Sequence, residues 1–301
     1  MRGEYIDPTA GQITFRGYAT GWLAAQTFDA STHEAVELRL RIHAFPVLGS
    51  KQLGAIKPST IQAWLRSLHQ FAATTRQVIF TNVSAVLSAA VDDELIRKNP
   101  CKAPSVSRPK VRRRKVVPWA PERVFAVRDA LPERYRIVID LGAGLGLRQG
   151  EIFGLAIDDV DFLHGKVTVR RQVKLFHGNR QVFAPPKNER IREIPLPDSI
   201  RDDLAAHLSS HPAVAVTLPW KVTAGEAAEA RLVVTSRERK ALNRNHFNTY
   251  VWKRALSAAS AAVVKRFADA HPDEDAPASL RIDPTRENGM RAAPPLRERP
   301  A

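Results

Sequence analysis

Arg148 and Glu151 are the residues whose types and spacing best suit phosphate chemistry, and they close a glycine-rich run, Gly142-Ala-Gly-Leu-Gly-Leu-Arg-Gln-Gly-Glu151. Apolar spacing on both sides predicts helices, which places Arg148 at a helix start, where free N–H groups and the helix dipole favour an anion. A planar guanidinium can hold two phosphate oxygens, and Glu151 can brace it from the same helix face. The pattern predicts a phosphodiester site, and the alternative is a surface ion pair.

Lys187 is the second candidate, in the segment Pro185-Pro-Lys-Asn-Glu-Arg-Ile-Arg-Glu-Ile-Pro-Leu-Pro197. Residues 166–173 alternate as a strand, residues 178–179 form a turn signal, and residues 191–194 return as a strand. Lys187 is therefore expected on or beside a hairpin tip, from which its long side chain can reach into DNA. An exposed lysine without a function is the alternative.

These two segments, with Asp158-Asp-Val-Asp-Phe-Leu between them, resemble the catalytic domain of the tyrosine recombinases, the phage integrase family, over about 115 to 255. The resemblance implies attack of a tyrosine on a phosphodiester, with a 3′-phosphotyrosine as the intermediate. It implies that Arg148 neutralises phosphate charge, that Glu151 supports it, and that Lys187 protonates the leaving 5′ oxygen. It implies no metal ion and no cofactor. Both cations are expected to face one phosphate, with their side-chain ends within roughly 10 Å.

The family's His-x-x-Arg pair and its tyrosine should follow a segment like residues 287–290, yet the chain continues there with Arg-Ala-Ala-Pro-Pro-Leu-Arg-Glu-Arg-Pro-Ala301. Two consecutive prolines would break the helix expected at that point. The segment His177-Gly-Asn-Arg180 matches the His-x-x-Arg pattern, but it precedes Lys187, and we interpret the match as chance. Tyr250 is expected on a packing face as a structural residue. We therefore expect a catalytic domain that is truncated or frame-shifted at its C-terminal end.

An incomplete domain also has a packing consequence. The family's last helices would normally cover the helix at 243–257, so Phe247, Val251 and Leu256 are expected to be either partly exposed or held by the alanine-rich segment that follows.

Basic charge is concentrated in one part of the chain. Lysine and arginine outnumber aspartate and glutamate by 46 to 31. The pI near 10.4 indicates a polyanionic partner, and nucleic acid is favoured over a membrane surface. Seven of the basic residues lie between Lys102 and Lys115, where there is no acidic residue. This proline-containing segment is predicted to be an extended linker, and the alternative is a hinge that does not bind. The residues expected to contact DNA phosphates are Lys110, Arg112, Arg113, Arg114 and Lys115.

The predicted fold is mainly α with a small β-sheet (α+β), arranged as a flexible tail at 1–14, a helical domain at 15–101, the basic linker at 102–118 and an incomplete integrase catalytic domain at 119–301. A capping box at 31–34 is expected to start the second helix, and residues 45–50 to break it. The resemblance implies that the helical domain is the SAM-like core-binding domain. A single three-stranded sheet is expected in the catalytic domain. Trp22 and Trp64 are expected in the helical core rather than as base-stacking platforms.

Several classes of protein are excluded. A single cysteine, Cys101, excludes an internal disulfide and a cysteine-built metal site. The N-terminus lacks the apolar segment of a signal peptide, and no run approaches the ~18 apolar residues of a membrane span. The protein is therefore expected in the cytoplasm, with duplex DNA as its partner and with several copies assembling on it.

Three functions stay open at this stage. The first is a DNA-binding, catalytically defective member of the family. The second is a recombinase that works only when another subunit supplies the tyrosine. The third is a basic nucleic-acid-binding protein whose likeness to integrases is coincidental.

Overall fold

The computed structural model of the chain describes residues 10–111, 118–271, 275 and 282. The chain divides into two compact units, 1–115 and 116–301. The helical unit contains α1 Phe15–Ala24, α2 Ala30–Arg39, α3 Phe45–Leu48, α4 Pro58–Ser67 and α5 Ala73–Asp92. None of the helices in the described ranges is both long enough and apolar enough to cross a membrane.

The second helix differs from its prediction at both ends. It begins after Asp29, whose carboxylate accepts a hydrogen bond from the Ser31 N–H, and not at a capping box formed by 31–34. A π-helical turn at Leu40–Ala44 joins α2 to α3, so the helical path runs on to Leu48. The proline at position 46 does not break it, because it lies in the first turn of α3, where its missing N–H has no partner to lose.

Tryptophan and cysteine side chains of the helical unit belong to its core. Trp64 is fully buried and donates its indole N–H to the His43 carbonyl at 2.7 Å, while Trp22 is partly buried against the same cluster. The expectation of a core position is confirmed for Trp64, whereas Trp22 lies at the edge of the core. Cys101 is also buried, and burial raises the pKa of its thiol to about 12, so that it stays protonated at neutral pH.

The first part of the predicted linker belongs to the helical unit, which corrects the prediction that it is extended. Asn99 caps a short 3-10 turn at Pro100–Lys102 and donates to the Ser88 hydroxyl at 2.8 Å. Val106 is buried, and the Ser107 N–H donates to Gln62 Oε1 at 2.8 Å. The buried Val106 side chain and the Ser107–Gln62 hydrogen bond hold this segment against α4. Arg112, Arg113, Arg114 and Lys115 lie outside the described residues.

The second unit combines helices with short antiparallel strands. Its helices are α6 Pro121–Ala130, α7 Glu133–Ile139, α8 Gln149–Gly154, α9 Asp198–Ser210, α10 Arg244–His246 and α11 Lys253–Ala270. The strands are β1 Val160–Asp161, β2 Lys166–Val169, β3 Gln172–Leu175, β4 Gln181–Ala184, β5 Arg192–Pro195, β6 Val214–Pro219 and β7 Ala227–Leu232. Wider π-helical turns at Asp140–Gly144 and Phe247–Trp252 extend α7 and join α10 to α11.

The strands form one three-stranded sheet, in the order β1-β2-β5, and two separate hairpins, β3-β4 and β6-β7. The α+β class is confirmed. The strand predicted at 166–173 is divided, because Val169 pairs with Arg192 of β5 whereas Gln172 pairs with Ala184 of β4. The three-stranded sheet therefore contains β1 beside β2 and β5. The β6-β7 hairpin was not predicted.

The π-helical turn at Phe247–Trp252 and the start of α11 are well covered, so of the two expected alternatives exposure is wrong. Phe247 is 1% exposed and Leu256 is 0% exposed, and only Val251 is partly buried. Leu256 shares its core with Val124 and Val127 of α6, against which α11 packs. The alanine-rich composition of α11 explains the close packing, because small side chains let two helix backbones approach.

Candidate functional site

Arg148 is the N-cap residue of α8, as its sequence position predicts. Its own backbone is extended, with φ −73° and ψ 149°. Gly146, two residues earlier, has φ +66°, a conformation that glycine adopts without steric penalty. Between them Leu147 is 1% exposed and anchors the turn in the core. The glycine therefore lets the chain turn sharply out of the preceding π-helical turn and present Arg148 at a helix start.

Glu151 is the centre of the site, because its buried carboxylate binds two arginines. It accepts the Arg148 N–H at 3.0 Å and Arg148 Nη1 at 2.8 Å. Arg192 of β5 donates to both oxygens, at 3.0 and 2.6 Å. The Glu151 residue is 2% exposed, whereas 59% of the Arg148 side chain reaches solvent. One carboxylate therefore orients two guanidinium groups and leaves a net positive charge.

The protonation of Glu151 follows from these contacts. Burial by itself raises the pKa of this carboxyl, but the hydrogen bonds from Arg192 and Arg148 outweigh burial, and the pKa lies below its ordinary value. Hydrogen bonding from Glu151 raises the pKa of Arg192 in turn. Glu151 and Arg192 are therefore both charged at neutral pH.

Arg192 was missed by sequence reasoning, although strand alternation carries a signal for it. In β5, Arg192 and Ile194 pair with Val169 and Val167 of β2, which are both buried. An arginine on the inward side of a strand needs a carboxylate partner. The sequence does not show which carboxylate that is, because Glu151 lies 41 positions away along the chain.

Two glycines let α8 lie directly on β3. A Cβ atom at Gly154 would be 2.9 Å from the Gln172 Cα, and one at Gly150 would be 3.0 Å from the Val173 carbonyl oxygen. The Gln172 amide in turn donates to the Pro185 carbonyl at 2.7 Å. The helix that begins with Arg148 is thus coupled through β3 to the segment that precedes Lys187.

Lys187 is exposed and begins a short turn at Lys187–Glu189. This turn connects β4 to β5, which belong to different sheets, so Lys187 is not on a hairpin tip; it follows the open end of the β3-β4 hairpin. The chain is held before Lys187 by the Gln172 contact and after it by the Arg192–Glu151 pair. These restraints support the expectation that Lys187 and Arg148 face one phosphate, which stays a prediction.

The other sequence candidates have clear surroundings. Arg180 donates to the His177 carbonyl at 3.0 Å within the β3-β4 turn, as expected of a chance match. Tyr250 is 54% exposed, and its ring lies 4.8 Å from that of His246, so the predicted packing face is wrong. The π-helical turn is the reason, because it directs Phe247 and Trp252 inward and leaves Tyr250 outside.

A separate basic groove lies within the helical unit, a cavity of about 1080 Å³ between α4, the start of α5 and residues 106–110. Its ionisable lining consists of Arg66, His69, Arg76, Arg108 and Lys110, and the described lining residues include no carboxylate. The buried Nε of Arg76 has no hydrogen-bond partner among the described residues. Lys110 was predicted as a DNA contact. The other four were missed, because only the folded-back segment brings them together.

No group of three histidine, cysteine, aspartate or glutamate side chains among the described residues is arranged to hold a metal ion. The described site itself consists of two guanidinium groups that are held by the Glu151 carboxylate.

Two family models match the chain, one in each unit. The helical unit matches the phage integrase central domain over residues 15–105. Residues 122–272, half of the chain, match the phage integrase family.

Similar proteins include the integrase of Mycobacterium phage L5, 28% identical over 202 residues, which cover 66% of this chain and 53% of that protein. The integrase of Mycobacterium phage D29 is 26% identical over 234 residues, which cover 76% and 58%. A "Tyrosine recombinase XerC-like" protein of Caldanaerobacter subterraneus subsp. tengcongensis is 27% identical over 172 residues, which cover 52% and 44%. This chain thus spans about half the length of these relatives.

Solved structures share the fold. The Tn1549 transposon integrase in complex with a circular intermediate DNA has a TM-score of 0.64 at 17% identity, covering 92% of this chain and 85% of that one. A lambda integrase dimer bound to a COC' core site has a TM-score of 0.62 at 16% identity, covering 82% and 79%. With the family match over both units, this chain belongs to the phage integrase family, the tyrosine recombinases.

Proposed function

We propose that this chain binds duplex DNA as a site-specific recombinase of its family and holds one phosphodiester against Arg148. The observation that carries the proposal is the Glu151 carboxylate, which is buried and fixes two guanidinium groups while the Arg148 side chain stays 59% exposed. An arginine oriented from behind in this way can present donors to a phosphate without reorganising when the ligand arrives.

The chemical roles follow from charge and position. Arg148 stabilises negative charge on the non-bridging oxygens. Losing one such donor typically raises the free energy of the transition state by ~2.7–4 kcal/mol. Lys187, on its exposed turn, supplies the proton to the leaving 5′ oxygen. Glu151 and Arg192 touch no substrate in this proposal and act by positioning Arg148.

Duplex DNA contacts the basic groove as well. The charges of Arg66, Arg76, Arg108 and Lys110 attract phosphates, since the described lining residues include no carboxylate, and they raise affinity without reading sequence. Arg112 to Lys115 continue this basic run along the chain. Lambda integrase structures include a dimer on a core site and a tetramer on a Holliday junction. We propose an assembly of several copies on DNA for this chain also, acting in the cytoplasm.

A polypeptide limited to these 301 residues binds DNA but does not cleave it, in our proposal. No His-x-x-Arg pattern follows Lys187, and the last tyrosine is Tyr250. Without a nucleophile the covalent route is removed, not merely slowed. The second candidate is a recombinase that receives its tyrosine from another subunit. Membership of the family argues against a binding protein without recombinase ancestry.

Binding is tested by fluorescence anisotropy of the full chain on duplexes selected from a fragment library, across a salt series. Arg148→Gln should weaken binding and lower the salt slope by about 0.9, one phosphate contact. Arg170→Gln is the matched control, because Arg170 is 56% exposed and also pairs with a buried carboxylate, that of Asp159, at 3.4 Å. Equal losses in both variants would contradict the assignment of Arg148.

Cleavage is tested with nicked suicide substrates built on the selected site and analysed on denaturing gels. The 301-residue polypeptide should give no covalent protein–DNA adduct. An adduct at Tyr250 would overturn the proposal that this polypeptide does not cleave DNA. An adduct that appears only after addition of a longer relative with its own arginine mutated but its tyrosine intact would favour a tyrosine supplied in trans.

A further inference from the structure

Strained backbone is concentrated beside Lys187. Six non-glycine residues in the described ranges have positive φ, and three of them are Asn188 at 63°, Glu189 at 54° and Lys221 at 63°. Residues with side chains adopt this conformation at a free-energy cost and keep it only where their surroundings hold them. The last two are in direct contact, since Lys221 Nζ donates to Glu189 Oε1 at 2.9 Å.

Lys221 lies in the turn of the β6-β7 hairpin, which is fixed to the hairpin beside Lys187. Its N–H donates to the Phe183 carbonyl of β4 at 2.7 Å, and Trp220 forms a parallel bridge with Phe183. The Thr223 hydroxyl accepts Arg180 Nη1 at 3.2 Å. The backbone at Lys221 is therefore fixed, and its ammonium group reaches the turn that carries Lys187 through Glu189.

The Glu189 carboxylate is the natural competitor for Lys187. It lies two residues away on the same short turn, and 70% of its side chain is exposed. A lysine that pairs with its own turn cannot also offer its full charge to a phosphate. The contact with Lys221 gives this carboxylate a different partner.

We propose that Lys221 is a positioning residue for Lys187: it holds the Glu189 carboxylate and so keeps the Lys187 ammonium group free for the DNA phosphate. The inference rests on the proposed function, in which Lys187 contacts phosphate. Stabilisation of the fold does not account for the pair, because both side chains are more than half exposed and such ion pairs contribute little to stability.

The test measures anisotropy of the full chain on the selected duplex at about 50 mM salt and above, where screening is varied. The variants are Lys187→Gln, Lys221→Gln, Glu189→Gln and the double variant of Lys221 and Glu189. Lys221→Gln should weaken binding roughly two- to fivefold, the range of an exposed charge pair. It should also lower the salt slope by about 0.9, as Lys187→Gln does. The double variant should regain the wild-type slope, and Lys221→Arg should bind like wild type.

The matched control is the exposed pair of Lys166 and Glu193, whose Nζ–Oε2 distance is 3.4 Å. Removing either charge there measures the generic effect of net charge, so the recovery in the Lys221 and Glu189 double variant must exceed that in the Lys166 and Glu193 double variant. Lys221→Gly removes the ammonium but suits the positive φ, and it should reproduce Lys221→Gln if folding is intact.

Failure of the inference is distinguishable from failure of the proposed function. If DNA binding by Lys221→Gln stays weak when Glu189 is also neutralised, Lys221 contacts DNA itself and the positioning role is overturned. If Lys221→Gln binds like wild type while Lys187→Gln is weak, the positioning role is likewise overturned and the phosphate contact stands. If Lys187→Gln binds like wild type, the proposed role of Lys187 fails first.

Discussion

The two cationic regions of the molecule are built in opposite ways. Around Glu151, two guanidinium groups contact a carboxylate of a residue that is 2% exposed. Hydrogen bonds inside the protein therefore set the orientation of each guanidinium group. In the basic groove, four arginine and lysine side chains gather beside His69, with no carboxylate among the described lining residues. Internal pairing orients a charge and makes it part of the fold, whereas unpaired surface charge attracts a polyanion and leaves the fold nearly unaffected. Mutations should therefore separate the two regions by stability and by binding.

Loss of the Glu151 charge should have the largest effect on stability. Glu151→Gln leaves Arg148 and Arg192 without their anion, and we expect a loss of about 3 kcal/mol in the free energy of unfolding. The value is at the low end for a buried pair because both arginines still reach water. Chemical unfolding of the full chain measures it. Glu193→Gln, on the same strand but exposed, should change stability by less than about 0.5 kcal/mol.

Low pH should remove the difference in stability between wild type and Glu151→Gln. Because the pKa of Glu151 is lower in the folded chain, its contribution is fully present above the ordinary glutamate pKa of about 4.3 and is lost as the pH falls through the lower, folded value. The stability gap between wild type and Glu151→Gln should therefore narrow towards strongly acidic pH. If the difference in stability widened as the pH fell below the ordinary glutamate pKa, the assignment of a negative charge to Glu151 would be contradicted.

Gly154→Ala should come next, because it pushes α8 away from β3. The new Cβ would lie 2.9 Å from the Gln172 Cα, a backbone atom that cannot rotate aside, and overpacking of this kind costs about 1–3 kcal/mol. Thermal or chemical unfolding should show the loss, together with weaker DNA binding. Gly21→Ala in α1 has no atom within 4 Å of its Cβ and should instead stabilise by roughly 0.5–1 kcal/mol. Equal shifts in the two variants would contradict close packing at α8.

Gly146→Ala should destabilise by about 1 kcal/mol, through backbone strain alone. Its φ is +66°, and nothing lies within 4 Å of an added Cβ. Gly178 in the β3-β4 turn has the same surroundings with φ +72°, so Gly178→Ala should lose as much stability. Only the change at Gly146 should also weaken DNA binding, because only this residue sets up the turn into Arg148. Parallel losses of affinity in both variants would argue against orientation of Arg148 by its turn.

The smallest effect on stability should come from the basic groove. Arg66→Gln should shift the free energy of unfolding by less than about 0.5 kcal/mol, the usual range for surface changes. The same substitution should lower the salt slope of DNA binding by about 0.9. A stability loss comparable to that of Glu151→Gln would show that the groove is part of the fold and not a free cationic surface.

Local chemistry made much of the site predictable. Arg148 and Glu151 are three positions apart at a helix start, so their contact depends on helix geometry alone. The helical unit, the α+β class and the family likewise follow from periodicity and from two short motifs. Tyr250 shows the limit of periodicity, because one π-helical turn changed the face on which it lies.

What the sequence by itself determined was a set of short-range relations: Arg148 at a helix start, Glu151 beside it, Lys187 next to a strand end, and basic charge concentrated between Lys102 and Lys115. Only the tertiary structure decided that Arg192 completes the site, that Val106 folds the basic segment onto α4, and that Lys221 meets Glu189. These contacts join residues from about 30 to 45 positions apart. Such pairings depend on strand register and on which apolar side chain finds a core, and neither is encoded in the spacing of neighbouring residues.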